Sequence, residues 1–279
     1  LIQRKLKVDN KIKVCLTRNM TNGKTERANV IEQLKFKAPS QGKGSLLNYD
    51  NAKTPKGEKS GVATAIMYLA PAEISGYNVC PYSTAGCREA CLFTAGYGRF
   101  DTVANARIAR TQRFIKDRVN FMLQLEHEIM KFQKAAYAQG FTPVIRLNGT
   151  SDIKWERISF VAKDGTHYAS MMERFNMLTF YDYTKIPFRF RKNLPANYSL
   201  TFSLAETEAS KKEAKEVLDG GGQVSVVFGN GLPDTFIGFP VSDGDLSDMR
   251  FDIQPSTVIG LKAKGKAKKD TTGFVQWVA

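Results

Sequence analysis

The sequence predicts an α/β protein, a complete or partial (β/α) TIM-like barrel with an irregular N-terminal extension. Three observations lead there. From Gly61 onwards, short apolar runs alternate with amphipathic stretches, the rhythm of repeated βα units. Several of those runs have strand length, and a barrel is built from parallel strands each followed by a covering helix. Hydroxyl and charged residues gather just after the runs, where a barrel exposes its site. The 279 residues are enough for one such domain or for two smaller ones.

Residues 1–36 read as a strand-rich extension. Lys11-Ile-Lys-Val-Cys15-Leu-Thr alternates in character, and Asn22-Gly23 is a turn signal. Cys15 sits inside that alternation and reads as a buried core thiol. Residues 37–279 form the barrel domain. Its first stretch, 37–60, is rich in Gly, Ser, Pro and Lys, which is loop chemistry able to lie against phosphates or simply to face water. The pattern G-x-x-x-x-G-K-[ST] does not occur. The expected strands are Thr64–Ala70, Pro143–Leu147, Leu178–Tyr181, Ser199–Leu204, Gln223–Phe228 and Val258–Leu261. Thr235–Val241 is a further strand or an insertion. Between the first two strands, Asp101–Gln139 carries Phe114, Arg118, Phe121, Leu125, Ile129, Phe132 and Ala136 at helical steps, with Gly140 as the stop. At nearly forty residues, this stretch is expected as two helices or one kinked helix. Lys211–Leu218 is a second helix, ended by Gly220-Gly-Gly.

A hydrophobic share of 42% excludes wholesale disorder, and no apolar run approaches the ~18–20 residues of a membrane span. The first residues, Leu-Ile-Gln-Arg-Lys-Leu-Lys, do not read as a signal peptide, and a start on Leu reads as a processed or partial product. The net charge of +14 favours a polyanionic partner, nucleic acid or a phosphorylated small molecule. The lysines are spread over both ends rather than gathered into one stripe.

Three of the four cysteines, Cys80, Cys87 and Cys91, follow C-x6-C-x3-C. Thiolates this close repel one another unless a cation holds them, and a disulfide would strand the third. A metal centre is therefore expected on Cys80, Cys87 and Cys91, in a reducing cytoplasm. Four thiolates would close a structural zinc or an electron-transfer cluster, whereas three leave one position open for chemistry. The alternatives are a [4Fe–4S] cluster with an open iron and a zinc completed by another residue. The loop follows the first barrel strand, which places it at the catalytic mouth.

Polar residues recur after the later strands. Asn148-Gly149-Thr-Ser-Asp152 follows the second, Asp182 and Lys185 follow the third, and Ser203 and Glu206 follow the fourth. Asp243 and Lys262 stand near the end. Asp152, Asp182, Lys185, Glu206 and Lys262 are the candidates for acid–base work, and Asn148, Gly149 and Ser203 for holding a ligand. Each alone is also an ordinary cap or loop residue. Asp243, Asp245 and Asp248 resemble part of a calcium loop without its closing Glu. The only histidines, His127 and His167, are isolated, and His127, flanked by Glu126 and Glu128, is expected on a solvated face.

The combination of Lys53-Thr-Pro-Lys-Gly, the cysteine loop, Arg107-x-x-Arg110-Thr111, Arg146-Leu-Asn-Gly-Thr-Ser-Asp152, Phe180-Tyr-Asp-Tyr-Thr-Lys185 and Gly260-Leu-Lys-Ala-Lys-Gly265 resembles an uncharacterised protein family of bacteriophage genomes, over roughly residues 37–279. That resemblance implies a viral protein working in the host cytoplasm. More distantly, the layout is similar to radical S-adenosylmethionine enzymes. It implies a [4Fe–4S] cluster on the three cysteines and S-adenosylmethionine as ligand, with Asn148-Gly149-Thr-Ser-Asp152 in the place of their Gly-Glu motif. Those enzymes space their cysteines C-x3-C-x2-C, and the Gly-Glu pair is absent here. A second likeness is to queuine-type transglycosylases, barrels with cysteine-bound zinc, which would make Asp152 and Asp182 nucleophile and base. Their cysteines come late in the chain. A third reading is a nucleic-acid binder with a structural cluster, its phosphate contacts made by 37–60 and the Lys262–Lys269 run.

Overall fold

A computed structural model describes residues 35–49, 57–94, 96–190 and 192–278. Phe36–Ala279 form one compact unit, to which all that follows belongs. Cys15, the Asn22-Gly23 turn and Lys53-Thr-Pro-Lys of the basic loop lie outside the described residues.

Along the chain, β1 (Leu47–Asn48) and β2 (Val62–Met67) precede a short helix, α1 (Ala85–Glu89), and then α2 (Asp101–Lys116) and α3 (Arg118–Ala138). After β3 (Thr142–Arg146) come the pair β4 (Phe160–Val161) and β5 (His167–Tyr168) and one helical turn, α4 (Met171–Arg174). β6 (Thr179–Thr184), β7 (Tyr198–Ser203), α5 (Glu208–Asp219) and β8 (Gln223–Phe228) follow. The chain ends with β9 (Thr235–Phe236), β10 (Phe239–Asp243), β11 (Thr257–Lys262) and β12 (Val275–Gln276).

The sheet runs β1-β2-β3-β6-β7-β8-β11-β10-β9. Every neighbouring pair from β2 to β10 is parallel, and only the edge strands β1 and β9 are antiparallel. The protein is thus mixed α/β with a mostly parallel sheet, and the path is open between β1 and β9. β2 to β8 lie side by side in chain order, the result of successive crossovers of one hand. β11 occupies one edge of β8 along its length, and β12 pairs with Val227 and Phe228 on the other. β7 pairs with β8 only as far as Ser203, so β12 wedges between the two where β7 ends.

Alternation divides the sheet into two faces. On one, Ala63, Ala65, Met67, Ile145, Phe180 and Leu200 pack against Phe114 of α2 and Phe121, Leu125, Ile129 and Phe132 of α3. Phe202, Val224, Val226 and Val258 continue it against Ala214, Val217 and Leu218 of α5. On the other, Val62, Val144 and Tyr181 meet Met249 and Phe251 of the 244–253 loop.

The long helical stretch is two helices, broken at Asp117 (φ −138°, ψ 58°), which ends α2 and starts α3. Its carboxylate accepts from Asn120 Nδ2 at 2.8 Å, a local bond of the kind that competes with helix. Gly140, at φ 78°, follows the end of α3. The first strand sits earlier than expected. Leu69 and Ala70 are buried but outside the ladder, because Thr111 Oγ1 takes the Ala70 amide at 2.8 Å and Gly149 N–H takes the Met67 carbonyl at 2.9 Å. Thr235–Val241 is not one strand but a hairpin turning at Ile237 (φ 47°) and Gly238 (φ 87°). Two positive φ angles match the handed twist of a two-residue hairpin, although Ile lacks the usual turn chemistry. His127 is exposed as expected, but the flanking Glu126 and Glu128 are buried. Glu126 pairs with Arg174 at 2.7 Å, and Glu128 accepts the amides of Leu46 (3.0 Å) and Leu47 (2.9 Å). No helix among the described residues is long and apolar enough to cross a membrane.

Glu128 thereby ties the edge strand β1 to α3. Glu128→Ala is expected to strand two buried amides and lower stability by about 2 kcal/mol in urea unfolding. Lys212→Ala, on an exposed face of α5, is expected to change it by less than about 0.5 kcal/mol.

Candidate functional site

The cysteine loop closes the carboxyl end of β2 as a turn, a short helix and a second turn. Ser83 donates to the Cys80 carbonyl through N–H (3.0 Å) and Oγ (2.8 Å). Thr84 caps α1 through its bond from the Cys87 amide. Glu206, after β7, accepts from Thr84 Oγ1 at 2.7 Å and from Gly86 N–H at 2.9 Å. A Cβ on Gly86 would stand 2.3 Å from Thr272 Oγ1 and 2.9 Å from Glu206 Cδ, so only glycine lets the helix seat there. On its inner side Ala90 packs with Ala263, Ala267 and Val275.

None of the three cysteines is in a disulfide, and all are partly buried. Burial raises each, and Cys80 is pushed up to about 12, with Asp152, Cys91 and Cys87 adding to the rise. The sulfurs therefore stand within electrostatic reach of one another. The backbone N–H of Ala72 faces Cys80 and that of Phe93 faces Cys91, each favouring the thiolate. Ala72 holds φ 47°, a strained value for a non-glycine residue beside the site. Cys80 Sγ itself donates to the Thr150 carbonyl at 3.8 Å. Among the described residues no three Cys, His, Asp or Glu side chains are placed so as to hold a metal ion.

Lys185 brings the cation. Its Nζ donates to the Ser203 carbonyl (3.0 Å), Ser203 Oγ (3.2 Å) and the Leu204 carbonyl (2.9 Å), and lies 4.9 Å from the Phe274 ring centre. Burial lowers its pKa, while Cys87, Asp152, Glu206 and Cys80 hold the charge on it. Asp152, raised by burial, accepts the Lys185 amide at 2.8 Å and pairs with Arg189 at 3.3 Å. Burial alone would raise Glu206, but the Thr84 and Gly86 bonds, with Lys185 nearby, bring it below the usual value. The structure thus gathers Cys80, Cys87, Cys91, Asp152, Lys185, Ser203 and Glu206.

The remaining candidates lie elsewhere. Asp182 projects onto the helix-covered face, where Asn148 N–H (2.7 Å), Asn148 Nδ2 (3.3 Å) and Tyr198 Oη (2.9 Å) donate to it. It is 1% exposed, which closes it to any substrate. Asn148 Nδ2 also donates to the Ile153 carbonyl, and its Oδ1 accepts from Ser151, Ile153 and Trp155. Asn148 is accordingly the hub of its own loop, with both amide donors engaged. Gly149 is needed because a Cβ would come within 2.6 Å of the Met67 carbonyl. Lys262 pairs with Asp243 at 3.6 Å, at the exposed ends of β11 and β10. Asp245 pairs with Lys264, and Asp248 turns inward to Tyr181, Arg146 and Arg250, so the three aspartates do not converge as a calcium loop.

Residues 45–277 match the family model described as Gene product 88. The chain belongs to this family. Its model spans the cysteine loop, Asn148–Asp152, Lys185 and Glu206, and gives the protein a phage-type origin. No curated protein and no solved structure matches the chain.

Within the Gene product 88 span, sequence reasoning missed a polar set on the inner face. Tyr181 and Tyr183 share that face with Lys185, and Arg146, Thr201 and Arg250 join them. A reading of Phe180–Lys185 at period two separates Tyr181, Tyr183 and Lys185 from Asp182, and would have found it.

Burial pushes Asp182 up to about 7, opposed by Arg146 and by its hydrogen bonds. An unfolded aspartate titrates near ~3.9, so the folded state holds this proton more tightly. The contribution is full below about pH 4 and is lost as pH rises through about 7. The stability of wild type minus Asp182→Asn is expected to fall by up to about 1.4 kcal/mol per pH unit across that window. Urea unfolding at each pH checks it, and a flat or rising difference would show the carboxylate ionised throughout.

Proposed function

We propose that this Gene product 88 protein is an iron–sulfur enzyme whose Cys80, Cys87 and Cys91 hold a [4Fe–4S] cluster at the mouth of a partial TIM-like barrel. The singly wound order of β2 to β8 supports the barrel reading. The observation that carries the cluster is the cysteine loop itself. Three cysteines not joined in a disulfide follow the first parallel strand and act electrostatically on one another, with backbone N–H groups of Ala72 and Phe93 favouring the thiolates of Cys80 and Cys91. Buried thiols raised in this way are poor nucleophiles at neutral pH, so covalent catalysis by a lone cysteine is disfavoured.

When bound, such a cluster supplies one-electron or Lewis-acid chemistry at its open iron. The chain's own groups do the rest. Lys185 offsets the negative charge of the thiolates, Ser203 and the Leu204 carbonyl hold its Nζ in place, and Asp152 fixes its backbone. Glu206 fastens the cysteine helix. The substrate is a small or nucleotide-like molecule, in keeping with the net charge of +14, and S-adenosylmethionine is a candidate co-substrate. The transglycosylase reading loses ground because Asp182 is sealed on the helix side, away from the face that Lys185 shares with Ser203. A reducing cytoplasm, that of the host cell, suits the free thiols.

The test is metal and sulfide analysis of protein purified without oxygen. About four irons and four sulfides are expected, bleached by dithionite, with each of Cys80→Ser, Cys87→Ser and Cys91→Ser losing most of the iron. A colourless protein with one zinc, or unchanged metal in any one variant, sinks the cluster. Salt-sensitive nucleic-acid binding without turnover would instead identify a binder.

A further inference from the structure

Two buried guanidinium nitrogens near the cysteine loop have no hydrogen-bond partner among the described residues, Arg107 Nη1 and Arg146 Nε. Each arginine is only 8% exposed. A buried donor left unpaired is costly, and a charged one more so, which makes two such donors at one place a feature that needs a cause. The place is Tyr68, the residue after β2. The Arg107 guanidinium lies 4.8 Å from the Tyr68 ring centre and 5.5 Å from that of Phe93. Both Arg107 and Arg146 act electrostatically on the Tyr68 phenol, and Arg107 also acts on Cys91.

A guanidinium held against aromatic rings can still present its planar fork of N–H groups, the geometry suited to carboxylate or phosphate. Gly98 packs beside this guanidinium, where a Cβ would collide with the Phe93 carbonyl and come within 3.1 Å of Nη1. Arg146 reaches the same region from β3, over the Tyr183 ring at 4.7 Å, and its Nη1 is 3.7 Å from Asp248. Asp248 also serves Arg250 (3.4 Å) and Tyr181 (2.8 Å), so one carboxylate is shared between two guanidiniums. Asp182 acts on Arg146 from the other face of the sheet, while among the described residues the groups acting on Arg107 are Tyr68 and Cys91 rather than a carboxylate.

We infer that Arg107 and Arg146, with the Tyr68 hydroxyl, form an oxyanion site beside Cys91 that receives the carboxylate or phosphate of the substrate. The inference deepens the enzyme reading by naming the group that anchors the substrate. It stands on the arginines rather than the metal, so it is tested apart from it.

The experiment is calorimetric titration of the full chain, purified without oxygen, with inorganic phosphate and separately with acetate, at constant ionic strength in chloride. Saturable binding of at least one is expected. Phosphate alone would assign a phosphorylated substrate, and acetate alone a carboxylate one. Arg107→Lys and Arg146→Lys keep the charge but lose the planar fork, and each is expected to weaken binding at least tenfold with iron content unchanged. Tyr68→Phe, which keeps the ring under Arg107, is expected to weaken it too and serves if a lysine variant does not fold. The site is overturned if neither anion binds, if binding survives in the variants that fold, or if the arginine variants lose iron in step with the anion. That last result would make the arginines supports of the cysteine loop alone.

Discussion

The bond from the Asn148 amide to the buried Asp182 carboxylate is the constraint on which the site depends. It holds the start of the β3 loop to β6, and Asn148 in turn gathers Ser151, Ile153 and Trp155 through one oxygen. The loop so fixed reaches back to the β2 side at four points. Gly149 N–H bonds the Met67 carbonyl, Thr150 Oγ1 the Leu69 carbonyl and Asp152 N–H the Val79 carbonyl, while the Thr150 carbonyl accepts from Cys80 Sγ. The first cysteine is therefore positioned from the far side of β3, through backbone groups that side-chain changes cannot easily move. Such a satisfied buried network gives a single geometry where an exposed loop of eleven or so residues would sample many.

The second anchor is independent of the first. Glu206, Thr84 and Gly86 tie α1 to the end of β7, and the alanine contacts around Val275 hold its other side to β12. Because β12 pairs with the last residues of β8, it parts β7 from β8 just where Ser203 meets Lys185. Lys185 reaches that point with its Nζ, and Cys87, Asp152, Glu206 and Cys80 hold the charge on it.

Much of this was legible in the chain and some was not, for physical reasons. The order of strands and helices follows from local periodicity, and Gly140 and Gly220-Gly-Gly mark real helix ends. The break at Asp117 needed only the length of the stretch. The cysteine loop's place after the first strand was legible because βα units put their loops on one rim. What failed were inferences that treat polarity as exposure. Asp182 follows an apolar run, yet it turns into the helix face to meet an amide thirty-four residues away. His127 is exposed as its sequence context suggested, but the glutamates flanking it are buried, each with a distant partner, Arg174 and β1. The hairpin at Ile237-Gly238 carries no turn signal at its first residue. Arg250 is buried against Tyr183, sixty-seven residues away, and no local pattern announces that contact.

The two faces of the sheet explain why polarity misled. On the helix face the core is largely apolar, and the Asp182 carboxylate there accepts from Asn148 and Tyr198 and is pushed up toward neutrality by burial. The opposite face carries Arg146, Tyr181, Tyr183, Thr201, Ser203 and Lys185 in adjoining rows, with β6 and β7 in register at Tyr183 and Thr201. Thr201 Oγ1 is buried without a partner among the described residues, as is Arg146 Nε. A core selected for stability alone would replace such atoms with methyl groups, since an unmet buried donor costs more than the hydrogen bond it forgoes. Asn48 Oδ1 and Gln223 Oε1, on strands paired at Ile66 and Thr201, are unpartnered as well, so these atoms run along the face rather than gathering under the cysteine loop. The helix face holds the fold, and the opposite face carries polar rows that packing alone does not call for.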